Sequence, residues 1–168
     1  MRPSKGNVQI KNKLNLFLLK FILFGRRKAV HRHRRSKFVD AKFSEHCDTR
    51  MKICGKASQK QMLEYKYLLS IEGNDLSSGL KWMLFSNSVV FLPPVTYESW
   101  ALESLLQPFV HYIPVFSNMT NLEKMVKWAN TNPERAKQIA ERSTLFMYDL
   151  LFHPNAFIDD ELVKTGIM

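Results

Sequence analysis

A chain of 168 residues with 45% apolar residues, among them 12 Phe, 5 Tyr and 3 Trp, is long enough for one core of ordinary size, too short for a second full domain and too apolar to be disordered. The net charge of +10 is unevenly held: residues 1–60 carry 17 Lys and Arg against 3 acids, and the rest of the chain carries 8 against 12. The basicity therefore belongs to the first third and not to the globular part. Cys47 and Cys54, with no His or Cys partners at metal spacing, define neither a zinc site nor a disulfide framework; one local disulfide between them is open, and free thiols in a reducing compartment are the expectation.

The first thirteen residues are polar and basic, and Leu14 to Phe24 is apolar. That run is too short for a membrane span, Lys20 interrupts it, and no small-residue cleavage site follows, so neither a transmembrane helix nor a signal peptide fits. It reads as a buried or amphipathic helix; with its basic flanks it could also lie on an anionic membrane surface. The dense basic cluster from Arg26 to Lys37 has the charge to meet nucleic acid, acidic lipid or a phosphorylated substrate. It lacks interleaved aromatics, so nucleic acid is not the expected partner. His31 and His33 would diverge on a helix and are not read as metal ligands.

Phe38 to Phe43 alternates as a short strand, residues 44–57 read as a loop, and Ser58 to Tyr65 as a short helix. The chain is organised around the stretch that follows, Lys66 to Leu92. Tyr67, Leu68, Leu69 and Ile71 make a nearly continuous apolar run, as in a strand buried on both faces, and Glu72-Gly73-Asn74-Asp75 stops it with turn formers. Asn74 or Asp75 can cap a helix with Ser77 and Ser78 in its first turn and Leu76, Leu80, Met83 and Leu84 on one face. Ser86-Asn87-Ser88 ends it, and Val89 to Leu92 forms a second buried strand before Pro93-Pro94, giving a β-α-β unit.

Such a unit offers free N–H groups beyond the carboxyl end of a parallel strand, where open α/β sheets bind ligands and where phosphate is a natural guest. Gly73 and Gly79 allow close backbone approach, the serines add donors, and Lys81 adds a positive charge if the loop folds toward it. The same residues also fit a turn, a cap and a solvated lysine, because the pattern is neither a Walker nor a dinucleotide fingerprint.

Further on, Thr96 is the expected cap of a helix carrying Trp100, Ala101, Leu105 and Leu106, with Glu98 in its first turn. Val110 to Val115 reads as the next strand, with His111 inside it as a structural histidine or, if at the carboxyl side, a ligand-facing one. Thr120 or Asn121 caps a helix burying Leu122, Met125, Val126 and Trp128-Ala129, and Pro133 opens a last long helix through Ala136, Ile139, Ala140, Ser143, Met147 and Leu150. Asn118-Met119-Thr120 matches a glycosylation acceptor pattern but stands where a cap is expected. These readings divide the chain into a basic segment with a short apolar helix at 1–37, an α/β domain at 38–152 and a tail at 153–168.

Tyr67 to Asp75, then Gly79-Leu80-Lys81-Trp82, Ser86 to Val90 and Pro108 to Val115 together resemble glycosyltransferase family 90, the capsule-associated-protein-like family that includes protein O-glucosyltransferases and bacterial lipopolysaccharide-modifying enzymes. The resemblance continues through Asn121-Leu122, Trp128-Ala129 and Ala140 to Ser143, so it covers about residues 60 to 150. It implies one half of a glycosyltransferase B-type fold: a Rossmann-like parallel sheet with flanking helices that binds a nucleotide-sugar, typically a UDP-sugar, without a metal. By position, Gly73, Asn74, Asp75, Ser77, Ser78, Gly79 and Lys81 would face the diphosphate, and Ser86, Asn87, Ser88, Glu98, Glu103 and His111 would stand toward nucleoside and sugar.

The chain departs from the protein O-glucosyltransferase branch at two positions. Gly79 stands where that branch has a diphosphate-gripping Arg, as in the lipopolysaccharide-type branch, and Trp100 stands where it has a carboxylate. The family's acceptor-binding half, with the expected catalytic aspartate, would lie before residue 1, so a partial or truncated chain is expected, and no catalytic residue is assigned. Asp40 is the only acid in that direction and is too close to the donor half. The function read from the sequence is nucleotide-sugar binding for hexosyl transfer to a protein or glycan hydroxyl, in a cytoplasmic or endomembrane-associated setting. The alternative is a non-catalytic module whose residues 26–37 bind nucleic acid or an anionic membrane.

Overall fold

The computed structural model describes residues 16–18, 32, 33, 35, 36, 39, 40, 58–72, 76–156, 158, 161 and 165. Five strands make one sheet: β1 (Leu16–Leu18), β2 (Val39–Asp40), β3 (Tyr67–Leu69), β4 (Val89–Leu92) and β5 (Ile113–Pro114), in the order β2-β1-β3-β4-β5. Every neighbouring pair is parallel, with Leu16 beside Tyr67, Leu68 beside Val90 and Phe91 beside Ile113. The α/β parallel sheet expected from the continuous apolar runs is thus present.

Helix α1 (Gln59–Met62) starts in a capping box: the Gln61 N–H donates to the Ser58 hydroxyl and the Ser58 N–H donates to the Gln61 side chain. Helix α2 (Leu80–Leu84) joins β3 to β4, a single 3₁₀ turn occupies Glu103–Leu105, and α3 (Leu122–Thr131) and α4 (Pro133–Phe152) follow β5. Pro133 opens α4 where its missing N–H costs nothing and its fixed φ suits the first turn.

Alternation along β3 and β4 sends side chains to two cores. Tyr67, Leu69, Val89 and Phe91 pack with Ile113, Leu122, Val126, Ala129, Ala136 and Ile139 under α3 and α4. Leu68, Val90 and Leu92 pack with Met62, Leu80, Met83, Leu84 and Met147 under α1 and α2. Helix α4 serves both: its first half lies on one face, the Ser143 hydroxyl donates to the Leu84 carbonyl at the end of α2 (2.9 Å), and Met147 joins the other face. The helix therefore passes across the amino edge of the sheet.

Three expectations are corrected here. Within the apolar run at Leu14 to Phe24, Leu16–Leu18 form β1, an interior strand where a helix is expected, so the α/β unit reaches back before residue 38. An uninterrupted apolar run has no period, and only pairing with neighbours on both sides decides between strand and helix. The helix expected from Asn74 or Asp75 begins at Leu80, because Ser77 is held in the loop by a hydroxyl bond to buried Ser70 (2.9 Å). The helix expected from Thr96 is absent, and residues 93–102 form an irregular segment. Its carboxylates fold back onto N–H groups: Glu103 accepts from Ser99 N and Glu98 from Ser104 N, competing with helical bonding, and Leu102 takes a left-handed φ of 49°.

Among the described residues no helix is long and apolar enough to cross a membrane. Cys47, Cys54 and most of the basic cluster lie outside the described residues. Within that cluster His33 is buried, its Nε2 3.1 Å from the Met119 carbonyl and its Nδ1 3.3 Å from Glu123 in the first turn of α3.

Candidate functional site

In this sheet the chain runs from β1 outward to β2, then returns to the other side of β1 for β3 and continues outward to β4 and β5. The direction reverses between β1 and β3. In open parallel sheets that reversal opens a crevice beyond the carboxyl ends of the two strands, because the following loops diverge. The segment after β3 therefore lies at the position where such folds take ligands.

Ser70 and Ile71 extend β3, and the Ser70 N–H donates to the Phe91 carbonyl (3.0 Å). Glu72 then reaches across to the segment after β4, its Oε1 accepting from the N–H groups of Thr96 (2.9 Å) and Tyr97 (3.1 Å). Gly73, Asn74 and Asp75 lie outside the described residues. The loop resumes with Leu76, buried Ser77, exposed Ser78 and Gly79. Gly79 has φ −79°, open to any residue, so what it contributes is the absence of a side chain and not a special backbone conformation. With only five residues, α2 adds little dipole at this edge.

Lys81 does not stand in water. Its Nζ lies 3.0 Å from Glu103 Oε1, with the lysine side chain 14% and the glutamate side chain 2% exposed. The Ser99 hydroxyl and N–H both donate to the same carboxylate at 2.7 Å. Burial alone would raise the Glu103 carboxyl, but the two bonds from Ser99 and the ammonium of Lys81 outweigh it and hold the group below its ordinary range. Glu98, one turn of chain earlier, accepts from both the N–H and the hydroxyl of Ser104. Glu72, Lys81, Glu98 and Glu103 thus tie the segments after β3 and β4 into one rim at the carboxyl edge.

The other expected site residues are elsewhere. Ser86, Asn87 and Ser88 join α2 to the start of β4, so they lie at the amino edge, away from the loops after β3 and β4. Their groups serve the turn: Ser86 Oγ donates to the Met83 carbonyl (2.6 Å), Ser88 Oγ to the Tyr65 carbonyl (3.0 Å), and Asn87, at φ 60°, meets Thr144 of α4. His111 precedes β5, which is two residues long and not the six expected, so it too lies on the amino side. Its Nδ1 accepts from the Gln107 N–H (3.0 Å) and its ring lies 5.1 Å from that of Phe146. Burial, with Arg142 nearby, lowers its proton affinity, as for a structural histidine.

The sequence profile of glycosyl transferase family 90 matches residues 25–155. The chain belongs to this family. It is 33% identical over 132 residues to the O-glucosyltransferase LpsA of Dichelobacter nodosus, an alignment covering 72% of the chain and 41% of LpsA. It is 30% identical over 121 residues to Protein O-glucosyltransferase 1 of Homo sapiens, covering 66% and 30%, and 38% identical over 78 residues to Protein O-glucosyltransferase 2 of Danio rerio, covering 46% and 15%. The chain therefore spans about two fifths of the length of LpsA and less of the others. The family match begins at residue 25, inside the basic segment, after β1 and before β2.

Residue patterns alone did not reveal the roles of Glu72, Ser99 and Ser104. Glu72 looked like a turn former, and only the pairing of β3 with β4 brings it to Thr96. Ser99 and Glu103, four apart, carried a readable signal that was absorbed into the expected helix.

Proposed function

We propose that this chain is the donor-binding part of a family 90 glycosyltransferase, holding a UDP-hexose at the carboxyl edge of the sheet for transfer to a hydroxyl of a protein or glycan. The observation that carries the reading is the reversal of strand order between β1 and β3, because open parallel sheets take ligands beyond the strand ends at such a reversal. O-Glucosyltransferases among the relatives support a hexose as the group moved.

In this reading the acceptor hydroxyl loses its proton to a base and its oxygen bonds the anomeric carbon, while the bond from that carbon to the diphosphate breaks. Negative charge grows on the departing diphosphate, and fixed donors aimed at it lower the barrier without reorganising. Asn74, Ser77, Ser78 and the loop N–H groups, that of Asp75 included, are the proposed diphosphate contacts. Lys81 has three N–H donors and gives one to Glu103, so it is fixed in place and keeps capacity for a phosphate oxygen. The charge is met by protein donors and no metal is required. No residue of the chain is assigned as the base.

Calorimetric titration of the chain with UDP tests this. Saturable binding is expected, weakened at least severalfold by Asn74→Ala and unchanged by excess EDTA. A folded wild-type chain that binds no UDP would sink the reading. Lys81→Ala is the poorer probe, because it strands the buried Glu103 carboxylate.

A further inference from the structure

Between the two anchors of the carboxyl rim runs Tyr97-Glu98-Ser99-Trp100. Trp100 is 59% exposed and Tyr97 43%, two large aromatics within four residues of a segment that leaves the sheet at the end of β4. Single exposed apolar residues are ordinary, but here the backbone beneath them is fixed. On one side Glu72 holds the N–H groups of Thr96 and Tyr97. On the other, Ser99 is bound to Glu103, Glu103 to Lys81, and Ala101, directly after the tryptophan, is 1% exposed. The aromatics are therefore displayed from a rigid rim that is tied to both flanks of the β3 loop.

The polar group between them has spare capacity. Glu98 accepts two bonds from Ser104 on Oε1, while its Oε2 has no hydrogen bond among the described residues. Two exposed aromatics and an acceptor-only carboxylate within one four-residue stretch suit one ligand class in particular. A hexopyranose has a face of C–H bonds that lies flat on an indole or phenol ring, and an edge of hydroxyls that donate to a carboxylate. An apolar peptide side chain would use the rings and leave the carboxylate unanswered.

We infer that Tyr97, Glu98 and Trp100 form a stacking subsite for a hexopyranose ring at the rim of the β3 loop. The assignment rests on the donor-site reading above for its place in the reaction, and the ring is either the hexose of the nucleotide-sugar or a sugar of the acceptor.

The test is calorimetry of the full chain, wild type and the variants Trp100→Ala, Trp100→Phe and Glu98→Gln, with UDP, UDP-glucose, and maltotriose added with UDP. Trp100→Ala is expected to leave UDP binding unchanged and to weaken a hexose-bearing probe roughly 3- to 10-fold, with Trp100→Phe retaining most of the affinity. Glu98→Gln should weaken the same probe. Loss on UDP-glucose assigns the ring to the donor, and loss on maltotriose assigns it to the acceptor. If UDP binds and neither hexose probe responds to Trp100→Ala, the subsite is overturned while the donor site stands. If UDP fails but maltotriose binding depends on Trp100, the donor site is overturned and the subsite stands. If no probe binds, both fall. Because Trp100 is exposed, unchanged thermal unfolding of Trp100→Ala serves as the folding control.

Discussion

A lysine that leaves water must have its charge answered, and Lys81 shows how one residue came to serve the frame of the site. Its partner Glu103 is more deeply buried than the lysine, so the carboxylate has more to lose when the pair is broken. Lys81→Ala is therefore expected to cost about 3 kcal/mol of stability, and Lys81→Met combined with Glu103→Leu to recover most of it. Thermal denaturation of the two variants checks this; equal losses would mean that the pair is not isolated from solvent as described. The pH dependence follows from the depressed carboxyl of Glu103. A carboxylate favoured in the folded state stabilises it fully above the unfolded value, about 4.3, and that contribution is lost as pH falls through the lower folded value. The stability gap between wild type and Glu103→Gln should shrink as pH drops below about 4.3, and a gap that stays constant would rule out the shift.

At the scale of elements, α4 is held by a bond that a helical pattern does not announce. Ser143 is fully buried in α4 and its hydroxyl closes onto the Leu84 carbonyl at the last turn of α2, one of the carbonyls that a helix leaves without an internal partner. Ser143→Ala leaves that acceptor only the longer bond from Thr144 (3.4 Å) and should lower stability by about 1 kcal/mol. Thr144→Ala should cost less, since Thr144 is only half-buried and shares its hydroxyl among Leu84, Ala140 and Asn87. Chemical unfolding of both variants decides it, and a larger loss at Thr144 would reverse the assignment. Helix α4 was legible in the sequence, as were β3, β4 and α3, because Pro133 and a repeat of apolar residues on one face mark a helix, and apolar runs closed by turn formers mark strands. Two elements were not legible, for different reasons. Leu16 to Leu18 carries no period, so only the sheet could settle it. Residues 96–106 carry a helical spacing that their own carboxylates override by capping Ser99 and Ser104. The site followed the same rule. The carboxyl end of β3 could be placed from one strand and one turn, whereas the amino-edge positions of Ser86 to Ser88 and His111 depend on where the adjoining strands begin.

For the molecule as a whole, the open question is what the basic first third does beside a globular part that is net acidic. Of its described residues, those around His33 lie on the same side of the sheet as the candidate site. His33 is seated on Met119 and Glu123, where β5 passes into α3, which is the carboxyl side of the sheet, and Arg32 and Arg35 beside it are exposed. From β5 to β3 is two strand spacings, about 10 Å. That distance exceeds the screening length of about 8 Å at physiological salt but falls well within the 30 Å or so at 0.01 M. The arginines should therefore draw an anionic nucleotide toward the edge at low salt without touching it. Arg32→Gln with Arg35→Gln is expected to weaken UDP binding a few-fold at 0.01 M salt, mainly through slower association, and to leave it unchanged at 0.15 M. Stopped-flow titration at both salt concentrations separates the cases. No effect at 0.01 M would detach the basic segment from the site, and a loss that persists at 0.15 M would mean that these arginines contact the diphosphate directly.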